Sequence, residues 1–166
     1  MPIKVRKTFD FALMAKRAPQ FTANAINDIS DILRDDMKSG VARRETISGA
    51  KMEPLKSSTV RGKRLKGSAT PRIPLLDTGR MVGAGAERGR TGIFVSQRAK
   101  KGNLRARITV PQNRQLIGIV HNEGEGDNPK RRFFYIMGVD RIKRPRAKLD
   151  IVLKNTTAKI ARSAHK

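Results

Sequence analysis

Phe21-Thr-Ala-Asn-Ala-Ile-Asn-Asp-Ile-Ser-Asp-Ile-Leu-Arg-Asp-Asp-Met37 is the stretch that decides the fold class. Phe21, Ala25, Ile29, Ile32, Leu33 and Met37 recur at i, i+4, i+8, i+11, i+12 and i+16. That spacing is one apolar stripe on a 3.6-residue period, so it predicts an amphipathic helix. Asn24, Asn27, Asp28, Asp31, Asp35 and Asp36 take the other face, which is expected to be wet. The predicted helix covers 9–39. Pro19 is expected to break or start it, because proline has no backbone N–H to donate. Gly40 is the expected stop. Asp35 and Asp36 sit at the end of the helix where the dipole disfavours acids. A basic neighbour is expected to face them.

Downstream, 41–74 changes character. Lys, Arg, Ser, Thr, Gly and Pro replace the apolar stripe, and Arg61, Lys63, Arg64 and Lys66 stand with no acid nearby. A long basic loop or arm is predicted, poorly ordered alone and ordered by a partner. Asp77 then reads as the N-cap of a short helix over Thr78 to Val82, ended by Gly83, Gly85 and Gly89. Strand signals follow in Gly92 to Gln97 and Leu104 to Val110, with a turn of Lys100, Lys101, Gly102 and Asn103 between them. Gln115 to Val120 and Arg132 to Met137 are a third and a fourth predicted strand, separated by a loop over 122–130. Pro145 suits the first turn of a last helix. Leu149, Val152, Leu153, Thr156 and Ile160 would be its buried stripe. The expected architecture is α+β. A long N-terminal helix and a C-terminal helix pack on an antiparallel sheet of about four strands, with the basic loop between first helix and sheet. One domain spans 1–166: helix at 9–39, arm at 41–74, short helix plus sheet at 75–137, last helix at 140–163.

The chain has 37 Lys and Arg against 14 Asp and Glu, a net charge of +23. Such a charge attracts polyanions: nucleic acid, a membrane surface or an acidic protein face. There is no cysteine, hence no disulfide and no thiolate metal site. No apolar run approaches the roughly 18 residues of a membrane helix. Residues 1–10 are basic but lack the apolar core of a signal peptide. Function without secretion is expected.

Catalytic chemistry finds little footing. His121 and His165 are the only histidines, and neither has a triad context. His121 reads better as a strand-end hydrogen-bonding residue. Glu123, Glu125 and Asp127 alternate in a Gly-rich loop without calcium-loop spacing, so a solvated turn is the better reading. Gly83, Gly85 and Gly89 lack the Gly-Lys-Ser/Thr ending of a phosphate loop. No cofactor or metal is expected. The basic sets carry more weight: Arg61, Lys63, Arg64 and Lys66, then Lys130, Arg131 and Arg132, then Arg141, Lys143, Arg144 and Arg146. These are candidates for contact with a partner or with DNA phosphates, which they would meet without reading sequence. One Tyr, six Phe and no Trp leave little for base stacking.

Several pieces stand in a telling order. Pro54-Leu-Lys-Ser-Ser-Thr-Val60 precedes Leu75-Leu-Asp-Thr-Gly-Arg-Met81; Ile119-Val-His-Asn-Glu-Gly124 follows, then Arg131-Arg-Phe-Phe134 with Gly138-Val-Asp140. The order resembles the virion morphogenesis, or tail completion, family of tailed bacteriophages. In that family a P-L-S-x-x-T piece, a D-T-G-x-L piece, an H-x-x-G piece and an R-P-F-L piece come in succession, and an acid opens the last helix. Lys56 stands here for Ser, and Phe133 for Pro. Asp77, Thr78, Gly79, His121, Gly124, Phe133 and Phe134 are the positions the resemblance marks as scaffold. It implies a non-enzymatic structural protein of the virion neck or tail end, in the host cytoplasm before assembly. It would form a homo-oligomeric ring, hexamer or dodecamer, against other neck and tail proteins, with no membrane. The basic arm would touch packaged DNA or acidic faces of partner rings. A lumen that grips DNA tightly hinders ejection, which favours the protein faces. The other class of function that the charge supports is a free, non-specific nucleic-acid-binding protein of ribosome- or chromatin-associated type.

Overall fold

The computed structural model describes residues 10–76, 92–135 and 144–164. The expected short helix with Asp77, Thr78 and Gly79 lies outside the described residues. So do Ile136 and Met137, Asp140, Arg141, Lys143 and His165. Among the described residues the protein is mixed helix and strand: four α-helices and one antiparallel sheet of two strands.

Helix α1 runs Phe11–Ala42, and the Asp10 carboxylate caps it by accepting from the Leu13 N–H at 2.9 Å. It passes through Pro19 and past Gly40, so neither ends it. An interior proline costs a helix about 3 kcal/mol. Burial offsets that cost: Leu33, Met37 and Val41 are all in the core, and each such side chain contributes about 1.5–3 kcal/mol. Helix α4, Arg146–Arg162, packs against α1. The pair is antiparallel, because the Asp10 N–H meets the Ala164 carbonyl at 2.6 Å and Asp36 near the other end of α1 meets Arg144. Pro145 precedes α4 as its cap residue. Leu149 is buried as expected, whereas Leu153 is 51% exposed.

The basic arm is not structureless. It carries helix α2, Ser57–Leu65, flanked by turns. Strand β1, Phe94–Gln97, pairs with β2, Arg107–Thr109, in register Phe94 to Thr109 and Val95 to Ile108, with a bulge before Gln97. Reciprocal 2.9 Å backbone bonds between Lys100 and Asn103 close the turn between them.

Neither of the two other predicted strands forms among the described residues. Gln115 to Val120 lies in helix α3, Gln115–Glu123, entered from a short 3-10 turn at Gln112–Arg114. A short apolar run has no period that separates strand from helix. Here tertiary packing chooses the helix: Gly118 and Asn122 turn to the core together, four residues apart. A Cβ on Gly118 would lie 3.7 Å from the Phe133 ring, so a small residue lets that ring lie close. The Asn122 side-chain oxygen accepts the N–H groups of Phe133 and Phe134 at 3.1 Å each. Those donors therefore serve a side chain instead of a ladder, and 131–135 runs without strand pairing. Phe133 is 2% exposed and Phe134 half-buried, edge to face.

The wet face of α1 is only partly wet. Asn27 exchanges two bonds with the Ala99 backbone (3.0 and 2.8 Å), and Arg98 holds Asp31 through two 3.0 Å contacts. The Arg98 bond pulls the Asp31 carboxyl below its ordinary pKa. This polar pair ties the end of β1 to α1. No helix among the described residues is long and apolar enough to cross a membrane.

Candidate functional site

Helix α2 divides the arm's cations between two surfaces. Lys63 turns inward, 8% exposed. Its ammonium donates to the carbonyls of Thr70 (3.2 Å), Ile73 (2.9 Å) and Leu76 (2.7 Å). Those protons hold the 67–76 turn in place, so Lys63 is a structural cation and not the surface contact expected of it. Arg61, Arg64 and Lys66 are exposed.

On the inward side lies a cleft of about 510 Å³ between α2, α3 and the 131 segment. Leu55, Leu75, Leu76 and Ile117 give it an aliphatic lining, and Lys66, Arg114, His121 and Arg131 give it charge. The Arg114 Nε is buried with no hydrogen-bond partner among the described residues. Arg131 is 3% exposed: its Nε donates to the Glu53 carbonyl at 3.3 Å, and its N–H bonds to the His121 carbonyl at 2.8 Å. It too is a packing residue, which corrects its expected place among the surface cations. Arg132 is half-buried and engaged, and Lys130 is exposed with its ammonium 3.6 Å from Glu123.

His121 ends up in the last turn of α3, not at a strand end. An Arg131 amino group approaches its Nδ1 at 3.5 Å. Burial first, and the Arg131 charge second, push the His121 pKa below its ordinary value. The folded state therefore binds a proton less readily than the unfolded chain, so protonation favours unfolding. Stability is expected to be full above about pH 6.5, the unfolded value, and to fall as pH drops below it. Chemical-denaturant midpoints at pH 7.5 and 5.5 check this. His121→Asn, which keeps an acceptor near the Nδ1 position, should flatten that dependence; an unchanged slope would count against the assignment.

Gly124 ends α3 at φ +78°, and a Cβ there would meet the Lys130 backbone at 2.9 Å, so glycine is required at this turn. Glu123 is held by Asn122 (2.7 Å) and Lys130, while Glu125 and Asp127 are separate and exposed. Among the described residues no cluster of three His, Asp or Glu could hold a metal ion.

On the outward side of α2 is a second groove, of about 400 Å³. Arg61 and Arg64 line it from α2, joined by Arg44 from just past α1 and Arg72 from the turn after α2. The cation clusters of the sequence contain neither Arg44 nor Arg72. Arg72 had a signal, since Pro71 and Pro74 hold it in a constrained turn. Arg44 had none, because its neighbours in space are distant in the chain.

Aliphatic residues remain uncovered elsewhere. Leu116 (73%) and Ile119 (51%) on α3, and Ile151 (58%) and Leu153 (51%) on α4, face outward. Comparison with protein-family models, with curated proteins and with solved structures found no match for this chain.

Proposed function

We propose that this chain is a non-enzymatic structural subunit of the neck or tail end of a tailed phage, which completes or terminates the tail and joins it to the head by ring assembly. The observation that carries the assembly reading is the set of uncovered aliphatic residues on α3 and α4. A chain this strongly charged gains nothing from leaving them in water, and a second copy can bury them. Rings set one surface against a different surface of the neighbour, and uncovered aliphatics on two separate helices suit that arrangement. The order of the motifs from Pro54 to Asp140 supports the phage context.

Sedimentation velocity on the full chain is the test. The chain is expected to form one closed oligomer, and Leu116→Ser with Ile119→Ser is expected to shift it to monomer with helix content unchanged. A wild-type chain that stays monomeric at every concentration would sink the ring. Mass spectrometry of purified virions tests the phage context, because a virion protein is recovered with the particles. A second reading, a free non-specific nucleic-acid-binding protein, draws on the arginine-lined groove. A monomer that binds duplex tightly would favour it.

A further inference from the structure

We infer that the groove lined by Arg44, Arg61, Arg64 and Arg72 is a binding site for the phosphodiester backbone of nucleic acid. Three separate segments bring these guanidinium groups together: the turn just past α1, helix α2 and the Pro71 to Pro74 turn. All four side chains are exposed. None makes an ion pair or a side-chain hydrogen bond among the described residues. Among the described residues no acid lines the groove. Of the acids nearest in sequence among the described residues, Glu45 holds Arg43, Lys51 and Arg144, and the hydrogen bonds from Arg43 and Lys51 keep its pKa at about 2, while Glu53 is exposed and does not line the groove.

Four like charges facing one groove repel each other unless an anion enters. The chain possesses acids that neutralise other arginines, such as Asp31 for Arg34 and Arg98. Among the described residues this groove is left without one. Arg44 adds a second sign, since its backbone sits at φ +58°, in the left-handed region that disfavours a side chain. Glycine would be the relaxed residue there, yet the position presents a guanidinium to the groove.

The chemistry of the lining selects among anions. Guanidinium forks match phosphate oxygens with paired N–H donors. No aromatic residue lines the groove, so bases have nothing to stack on, and contact is with backbone only. An acidic protein face would be held best by a large aromatic anchor beside the charges. The apolar lining here is limited to Pro54, Leu55 and Val60, and the large uncovered aliphatics Leu116, Ile119 and Ile151 lie elsewhere. The groove thus offers guanidinium charge with only small aliphatic neighbours and no aromatic anchor, which suits a nucleic-acid backbone better than the acidic ring face expected from the sequence. Contact of this type is weak and salt-sensitive, so it guides a duplex without locking it.

The inference stands apart from the assembly reading: oligomeric state and duplex binding are separate measurements, and either can fail alone. The test uses the full chain, a labelled mixed-sequence DNA duplex and fluorescence anisotropy over a salt series. Two groove variants, Arg61→Gln with Arg64→Gln and Arg44→Gln with Arg72→Gln, are compared with Lys101→Gln plus Arg105→Gln, which removes equal charge from exposed positions outside the groove. Circular dichroism checks that each variant keeps its helix content. Each groove variant is expected to bind about tenfold more weakly, with the slope of log affinity against log salt reduced by about two, one per lost phosphate contact. The outside variant is expected to change both far less. Equal losses in groove and outside variants would reduce the effect to overall charge and overturn the site. So would better competition by polyglutamate than by unlabelled duplex, which would assign the groove to an acidic protein.

Discussion

Lys63→Met is expected to destabilise the protein by about 3 kcal/mol, measured by urea denaturation. A hydrogen bond from a charged donor contributes about 1.5–3 kcal/mol, and a buried partner left without one costs a further desolvation term. Lys63 supplies three, to Thr70, Ile73 and Leu76, and the Leu76 carbonyl also accepts from the Thr70 hydroxyl at 2.8 Å. Dehydrating the ammonium works against this gain, so the three bonds do not add in full. Methionine keeps the unbranched stem, one atom shorter, and removes the donors. Hydrogen exchange should show the loss first in 67–76, because that turn has Lys63 as its hub. A change below about 1 kcal/mol, within the range of ordinary surface substitutions, would mean that the ammonium is replaceable by water.

The second large effect is expected at the far end of α1. Arg144 donates to Asp36 at 3.0 Å, and the two side chains are 14% and 10% exposed. The Tyr135 hydroxyl donates to the same carboxylate oxygen at 2.8 Å. Burial, together with that bond to a carboxylate, pushes the Tyr135 pKa up to about 12. Glu45 stands 3.6 Å from the other arm of the guanidinium. Removing one member of a buried pair strands the other, at a cost of about 3–5 kcal/mol. Arg144→Met is therefore expected to cost about 3 kcal/mol. Asp36→Asn in the same chain should restore part of it, because no uncompensated charge then remains. Gly40→Ala tests the same clamp from the backbone. A Cβ there would sit 2.8 Å from the guanidinium carbon, so it displaces Arg144 from Asp36. The gain of about 1 kcal/mol in helix propensity is expected to be outweighed. A Gly40→Ala protein more stable than wild type would show that the guanidinium has another equally good seat.

Periodicity exposed α1 because a helix of this length repeats its apolar stripe often enough to be unambiguous. The pattern also located the turn at Lys100 to Asn103 and the buried Leu149. It misread what polar residues do. Asn27, Asp31 and Asp36 carry the same polarity whether they face water or hold Ala99, Arg98 and Arg144. The cations behave likewise: Lys63 and Arg64 are neighbours in one helix, one buried and one exposed.

By itself the sequence determined the long N-terminal helix, the charge and the absence of thiol chemistry. Each depends on local geometry or on counting. Tertiary structure alone decided that α1 survives Pro19, that 115–120 coils, and that Arg44 and Arg72 share a groove with Arg61 and Arg64. The reason is that packing against distant segments outweighs local preferences of about 1–3 kcal/mol, and that closeness in space between residues far apart in a chain is written in no short stretch of it.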